Sequence, residues 1–271
     1  MINSFKTLAF MTILSSMMAC TMAYGGIDPA ANLPDAPSAS SHNDPDSASN
    51  QHHGFVGAAV HRIARDQVDI YTAPFHRSAI KWDLGFLAVT GVLIATDKHA
   101  SGELSRHPSN ANSDISNIGL GVTGGSVGVL LLDGLLHDNP HAREAGTLGV
   151  ESMVDSGILY GLIQLGTGRD RPLQDAGRGG FWQNTGFDNS FPSGHAIISW
   201  TAASVVAHEY PKPWVEWLSY GAATAVSITR FTSVQHFPSD VVVGSTLGYL
   251  VGRHVFHAHC KQGLSSACHA K

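Results

Sequence analysis

The sequence predicts an all-α protein, a six-helix core bundle with an amphipathic lead-in helix. Three observations carry that expectation. Six apolar segments of helical length follow one another between residues 84 and 256, each bounded by polar, glycine or proline breaks. Ahead of them, residues 55–71 set Val56, Val60, Ile63, Ala64 and Val68 at helical spacing with charges between. Strand-like alternation is scarce, so the apolar faces must be buried by packing helix on helix.

Taken in order, residues 1–23 read as an export signal: Lys6, an apolar run over 8–18, then small residues, with cleavage expected after Ala23. Met17-Met18-Ala19-Cys20 is a looser, lipoprotein-type alternative. Residues 24–54 are rich in Ala, Ser, Asn, Asp and Pro, have almost nothing to bury, and are expected to form a flexible tether. The all-α domain then spans 55–257 and a short tail 258–271.

The six segments fall near 84–96, 115–136, 144–165, 196–207, 215–228 and 241–256. Gly119, Gly121, Gly124, Gly125 and Gly128 in the second suggest close helix contact. Glu144, Glu151 and Asp155 in the third share one face, turned away from Gln164; a solvated or hydrogen-bonded face is expected there rather than a metal site. Tyr210, Trp214, Trp217 and Tyr220 cluster where the fourth segment turns into the fifth, as ordinary packing or as an interfacial aromatic belt. In the tail, Cys260 and Cys268 suit a disulfide in an exported compartment. Metal capture there with His257, His259 and His269 fits no familiar spacing.

With 271 residues, 43% of them hydrophobic and 14% charged, the chain can bury one substantial core. A net charge of −5 leaves no basic footprint for nucleic acid. Oligomeric state leaves no trace in the sequence.

Three short stretches carry the chemistry. In TRFTSVQHFPSD (229–240), Arg230, His236 and Asp240 combine a cation, an imidazole and a carboxylate. A carboxylate four residues after a histidine can take its Nδ1 proton and leave Nε2 as the free lone pair. In FPSGH (191–195), Ser193 and Gly194 open an apolar helix whose first N–H groups suit an anion, and His195 stands at the same end as a candidate general acid. In GRDRP (168–172), Arg169 and Arg171 offer guanidiniums able to grip phosphate oxygens.

In order and spacing, these stretches resemble the type 2 phosphatidic acid phosphatase and vanadium haloperoxidase superfamily over roughly residues 145–255. Arg171-Pro172, Pro192-Ser193-Gly194-His195 and Arg230, His236, Asp240 match its signature in register. The family's lysine falls on Gln164 and the serine before the arginine on Thr229.

The resemblance implies the family's helical bundle and a metal-independent phosphatase without cofactor. His236 would attack phosphorus to give a phosphohistidine, with Asp240 holding its imidazole, while His195 protonates the leaving alcohol. Arg171, Arg230, Ser193, Gly194 and Gln164 would bind the phosphoryl oxygens, with Arg169 in a secondary place. The partner expected is a phosphate ester, lipid-borne or soluble. Alternatives are a vanadate-dependent haloperoxidase, with vanadate on His236, and a non-catalytic phosphate-binding envelope protein.

Location is the remaining expectation. The segments are mostly 12–17 residues long, short of the ~20 apolar residues that a span needs. Three crossings from an external N-terminus would also carry the Arg171 loop to the cytoplasmic side. The expectation is therefore an exported protein of the periplasm or cell envelope, soluble or peripheral rather than integral, with membrane association left open.

Overall fold

The computed structural model describes residues 47–104, 110–174 and 177–268, and side chains from residue 57 onward. Among them are seven α-helices: α1 (Ser47–Thr72), α2 (Ile80–Leu104), α3 (Asn110–Leu136), α4 (Pro140–Thr167), α5 (Gly194–Glu209), α6 (Pro213–Thr232) and α7 (Pro238–His259). A 3-10 turn, Ala73–Phe75, joins α1 to α2. The fold is all-α, as the segment pattern requires. The expected signal and the first part of the expected tether lie outside the described residues. Helix α1 begins at Ser47, inside that tether. Once a helix exists, each added residue needs only compatible backbone, and no proline follows Pro45 to stop it before Pro74.

The helices are longer than their apolar segments. Helix α2 runs 25 residues, α3 27 and α4 28, because polar residues at both ends continue the turn. The ends are set by local chemistry. Asn139 caps α4 by accepting from the Ala142 N–H at 3.2 Å, and prolines open α4, α6 and α7. Gly168 ends α4 at φ +49°, where an added Cβ would lie 2.3 Å from the Asn184 carbonyl oxygen. That turn launches the chain toward Arg169 and Arg171.

At the centre α5 lies along α7, and their separation is set by glycine. A Cβ on Gly244, Gly248 or Gly252 would stand 2.7, 2.2 or 2.6 Å from the carbonyl oxygen of Ser193, Ile197 or Thr201. Around this seam Leu159, Ile163, Phe191, Val205, Val243, Leu247, Val251 and Phe256 form the core. The glycines expected to make contact in α3 behave differently: Gly119 meets Val226 and Gly124 meets Met153, but Gly121, Gly125 and Gly128 have open space beside them.

Helix α1 docks on α4 and α7 through polar groups. Arg62 pairs with Glu151, Gln67 Nε2 donates to Asp155 Oδ1 at 2.7 Å, and His259 Nε2 lies 2.8 Å from Asp66. The carboxylate face of α4 is thus hydrogen-bonded and buried rather than solvated. Cys260 and Cys268 form a disulfide that closes the tail against this end.

The outward faces are apolar. Ile115, Ile118, Val122, Val129, Leu132 and Leu135 are all more than half exposed along α3. This helix is long and apolar enough to cross a membrane, and only 17% of its most apolar window is buried.

Gly248→Ala is expected to destabilise the protein by about 1–3 kcal/mol or more, because the methyl group must push two backbones apart. Gly121→Ala, in open space, is the control expected to be neutral or stabilising. Thermal unfolding of the purified variants measures both.

Candidate active site

Helix ends converge at one end of the bundle: the C-termini of α4 and α6, the N-termini of α5 and α7, and the first turns of α3. They bring together His236, His195, Arg171, Arg230, Ser193 and Gly194, three separate stretches of sequence.

His236 lies in the α6–α7 connection and is buried. Its Nδ1–H donates to the Ser190 carbonyl at 2.7 Å, which leaves Nε2 with the lone pair; Arg230 Nη2 stands 3.4 Å from that nitrogen. Burial first, then the Arg230 and Arg171 guanidiniums, hold this imidazole well below the ordinary histidine range. It is neutral, and a nucleophile in form, at physiological pH.

The expected direct bond from Asp240 to Nδ1 is replaced by an indirect one. Asp240 Oδ2 is 3.9 Å from Nδ1 and accepts instead from Ser190 Oγ at 2.5 Å and the Phe237 N–H at 2.8 Å. In the first turn of α7 its carboxylate folds back onto the N-terminal backbone. It therefore fixes Ser190, whose carbonyl fixes His236.

Arg169 is not at the phosphate site. Its guanidinium is 1% exposed, donates from Nη1 to Asp240 Oδ1 at 2.5 Å and Ser239 Oγ at 2.7 Å, and from Nη2 to Asp97 Oδ2 at 2.7 Å. The Phe181 and Phe237 rings lie 4.8 and 4.3 Å from its carbon. Every face is occupied. Gln164 is likewise turned elsewhere: fully buried, its Nε2 donates to the Asn189 carbonyl at 3.0 Å and its Oε1 accepts from the Asn189 N–H at 2.9 Å. It clamps the loop before α5 and has no hydrogen bond left for a phosphate oxygen. The Ser193 N–H is also spent, on the Asp240 carbonyl at 3.0 Å, so the backbone donors left for an anion begin with Gly194 in the first turn of α5.

Three buried donors on the three motif stretches have no hydrogen-bond partner among the described residues: Ser193 Oγ, Arg171 Nε and Arg230 Nε. Arg171 Nη1 donates to Gln235 at 3.0 Å and Nη2 to the exposed Asp188 carboxylate at 2.6 Å. His195 Nε2 lies 2.8 Å from Asn117 Oδ1 on α3.

Sequence reasoning missed Asn117, Asp188, Ser190 and Asp97. The first two leave no motif. The last had one faint signal, a carboxylate closing an apolar segment, which needs a buried partner such as Arg169.

Residues 147–263 match the family model described as PAP2 superfamily. The match covers less than half of the chain. Among curated relatives, it is 30% identical over 116 residues to a lipid A 1-phosphatase of Porphyromonas gingivalis, covering 41% of this chain and 24% of that protein. It is also 39% identical over 69 residues to the bacitracin transport permease protein BcrC of Bacillus licheniformis, covering 26% of this chain and 33% of that one. The matches thus span a quarter to a third of those relatives. A solved transmembrane PAP2-type phosphatidylglycerolphosphate phosphatase from Bacillus subtilis aligns at a TM-score of 0.43 and 17% identity, over 66% of this chain and 98% of that one.

The soluble or peripheral placement expected from segment length is corrected here. One relative is a transport permease by name, and the solved phosphatase is transmembrane by its description. The physical reason is that most segments are short, whereas 115–136 lies whole within α3 and turns its apolar face outward.

Two substitutions separate loop clamp from phosphate ligand. Gln164→Ala is expected to lower stability by about 1–3 kcal/mol, from the Asn189 groups left unpaired, and to act on folding before KM. Asp188→Ala removes an exposed rival anion worth at most about 1 kcal/mol, so KM should fall by up to about five-fold with kcat unchanged. Thermal unfolding and steady-state kinetics check the pair.

Proposed function

We propose that this protein is a metal-independent phosphatase acting on a lipid-borne phosphate at a membrane surface, through a phosphohistidine on His236. The observation that carries this is the set of orphaned buried donors, Ser193 Oγ, Arg171 Nε and Arg230 Nε, around a neutral imidazole whose Nδ1 is already committed. Donors left unpaired at such cost fit an anion with several oxygens.

In the first step His236 Nε2 attacks phosphorus and a P–N bond forms as the ester P–O bond breaks. Arg171, Arg230, Ser193 and the Gly194 N–H spread the charge on the three non-bridging oxygens. Burial and then the Arg230 and Arg171 guanidiniums hold His195 down to about 4 in the free site. The bound phosphate dianion offsets those charges, so His195 takes up a proton with the substrate and gives it to the departing oxygen, and the alcohol leaves neutral. In the second step His195 takes a proton from water, the hydroxyl attacks phosphorus, the P–N bond breaks, and inorganic phosphate leaves. Asp240, through Ser190, keeps the His236 ring in place and answers the positive charge it carries in the intermediate. Asn117 orients His195.

Membrane integration is supported by the outward apolar face of α3 and by Trp214 and Trp217, 65% and 81% exposed at the far end from the site, where an interfacial belt would sit. The names of the relatives support a lipid or lipid-linked phosphate over a small soluble ester.

The test is phosphate release in EDTA by the detergent-purified chain, from a lipid phosphate in mixed micelles and from a small soluble phosphomonoester. The lipid is expected to be preferred, and His236→Ala to lower turnover roughly 10⁴-fold or more. Equal turnover by His236→Ala, or preference for the soluble ester, overturns the reading.

The pH profile follows from the depressed His236 pKa. Protonation silences the nucleophile, so the acid limb of kcat/KM is expected below the ordinary ~6.5 of histidine. Arg230→Gln removes a depressing charge and should move that limb upward. An acid limb unmoved by the substitution would contradict the assignment of this limb to His236.

A further inference from the structure

Away from the phosphate site, where α1 crosses the C-terminal part of α7, a second group of chemically capable side chains has no part in the mechanism. Asp66 of α1 is 1% exposed and receives two imidazoles: His259 Nε2 at 2.8 Å from Oδ2 and His254 Nε2 at 3.3 Å from Oδ1. One turn further along α1 is Asp69, exposed; ligand atoms of Asp66, Asp69 and His254 lie within 4.8 Å of one another.

We propose that Asp66, Asp69 and His254, with His259 bracing Asp66 from behind, form a binding site for a divalent cation of zinc type, which fastens α1 to the bundle.

Donor chemistry selects the ion. An imidazole with two carboxylates suits zinc, whereas calcium and magnesium take oxygen ligands alone. The dimensions agree as well: bonds of ~2.0–2.1 Å at tetrahedral angles separate ligand atoms by about 3.3 Å. The His254–Asp66 edge is already 3.3 Å, and the edges to Asp69, all within 4.8 Å, close by rotation of its exposed side chain. Asp69 stands on the solvent side and offers an entry path.

Plain hydrogen bonding of two histidines to one carboxylate is the competing explanation; it leaves Asp69 without a part, whereas the metal site uses it. The neighbouring cysteines do not compete, because Cys260 and Cys268 are joined. The tail histidine His259, which sequence spacing left without a site, acquires one through α1.

The experiment uses the full chain in detergent, stripped with a chelator, reloaded with zinc chloride, desalted and assayed for metal by mass spectrometry. A single retained equivalent and a rise in Tm on reloading are expected. His259→Ala should lower zinc affinity at least about ten-fold. Asp69→Asn, at an exposed position that spares folding, should weaken retention in the same direction. His236→Ala should bind zinc like the wild type, which separates this result from the fate of the phosphatase reading. Wild-type protein that retains no zinc and shows no Tm response overturns the proposal. So does zinc retained equally by Asp69→Asn and His259→Ala.

Discussion

One buried guanidinium holds the candidate-site end of this molecule together. Arg169 reaches Asp97 on α2 and Asp240 on α7 at 2.7 and 2.5 Å, with two phenylalanine rings against its faces. An unpaired charge at such depth would cost several kcal/mol, so the arginine and its two carboxylates must be placed together or not at all. From Asp240 the constraint passes to Ser190, from the Ser190 carbonyl to His236 Nδ1, and so to the direction in which Nε2 points. The phosphate end is a consequence of that chain. Its donors are left over after the structural groups have taken partners.

The division of labour between the arginines is a matter of burial. Arg169 has every donor satisfied and cannot serve an anion without breaking the frame. Arg171 and Arg230 each keep a buried Nε unpaired, and Arg171 shares its other donors with Gln235 and with the exposed, displaceable Asp188. A similar contrast separates Gln164 from Ser193: both are buried, but the amide is saturated by Asn189 while the hydroxyl has no partner among the described residues.

Much of this was legible in the sequence. The six apolar segments and the amphipathic stretch before them mark the helices because their periodicity reflects what must be buried. The motif residues His236, His195, Arg171 and Arg230 could be named because their spacing is tied to a family pattern. Three things were not legible. The roles of Arg169 and Gln164 depend on Asp97 and Asn189, partners 72 and 25 residues away, which no local pattern records. The orienter of His236 is a backbone carbonyl, which has no sequence signature. The outward apolar faces were not legible because the lead-in helix and the ends of α4 and α7 are polar, and those polar residues turn toward one another: Arg62 to Glu151, Gln67 to Asp155, His259 to Asp66.

The central claim is that phosphorus becomes bonded to His236. Its most direct test is to mix the detergent-purified chain with a lipid phosphate labelled at phosphorus, quench in alkali during turnover, and map the label by peptide mass spectrometry. Label on the peptide bearing His236, as a phosphoramidate stable to base and lost in acid, is the predicted result. Turnover with no covalent label, or label on any other residue, would contradict it.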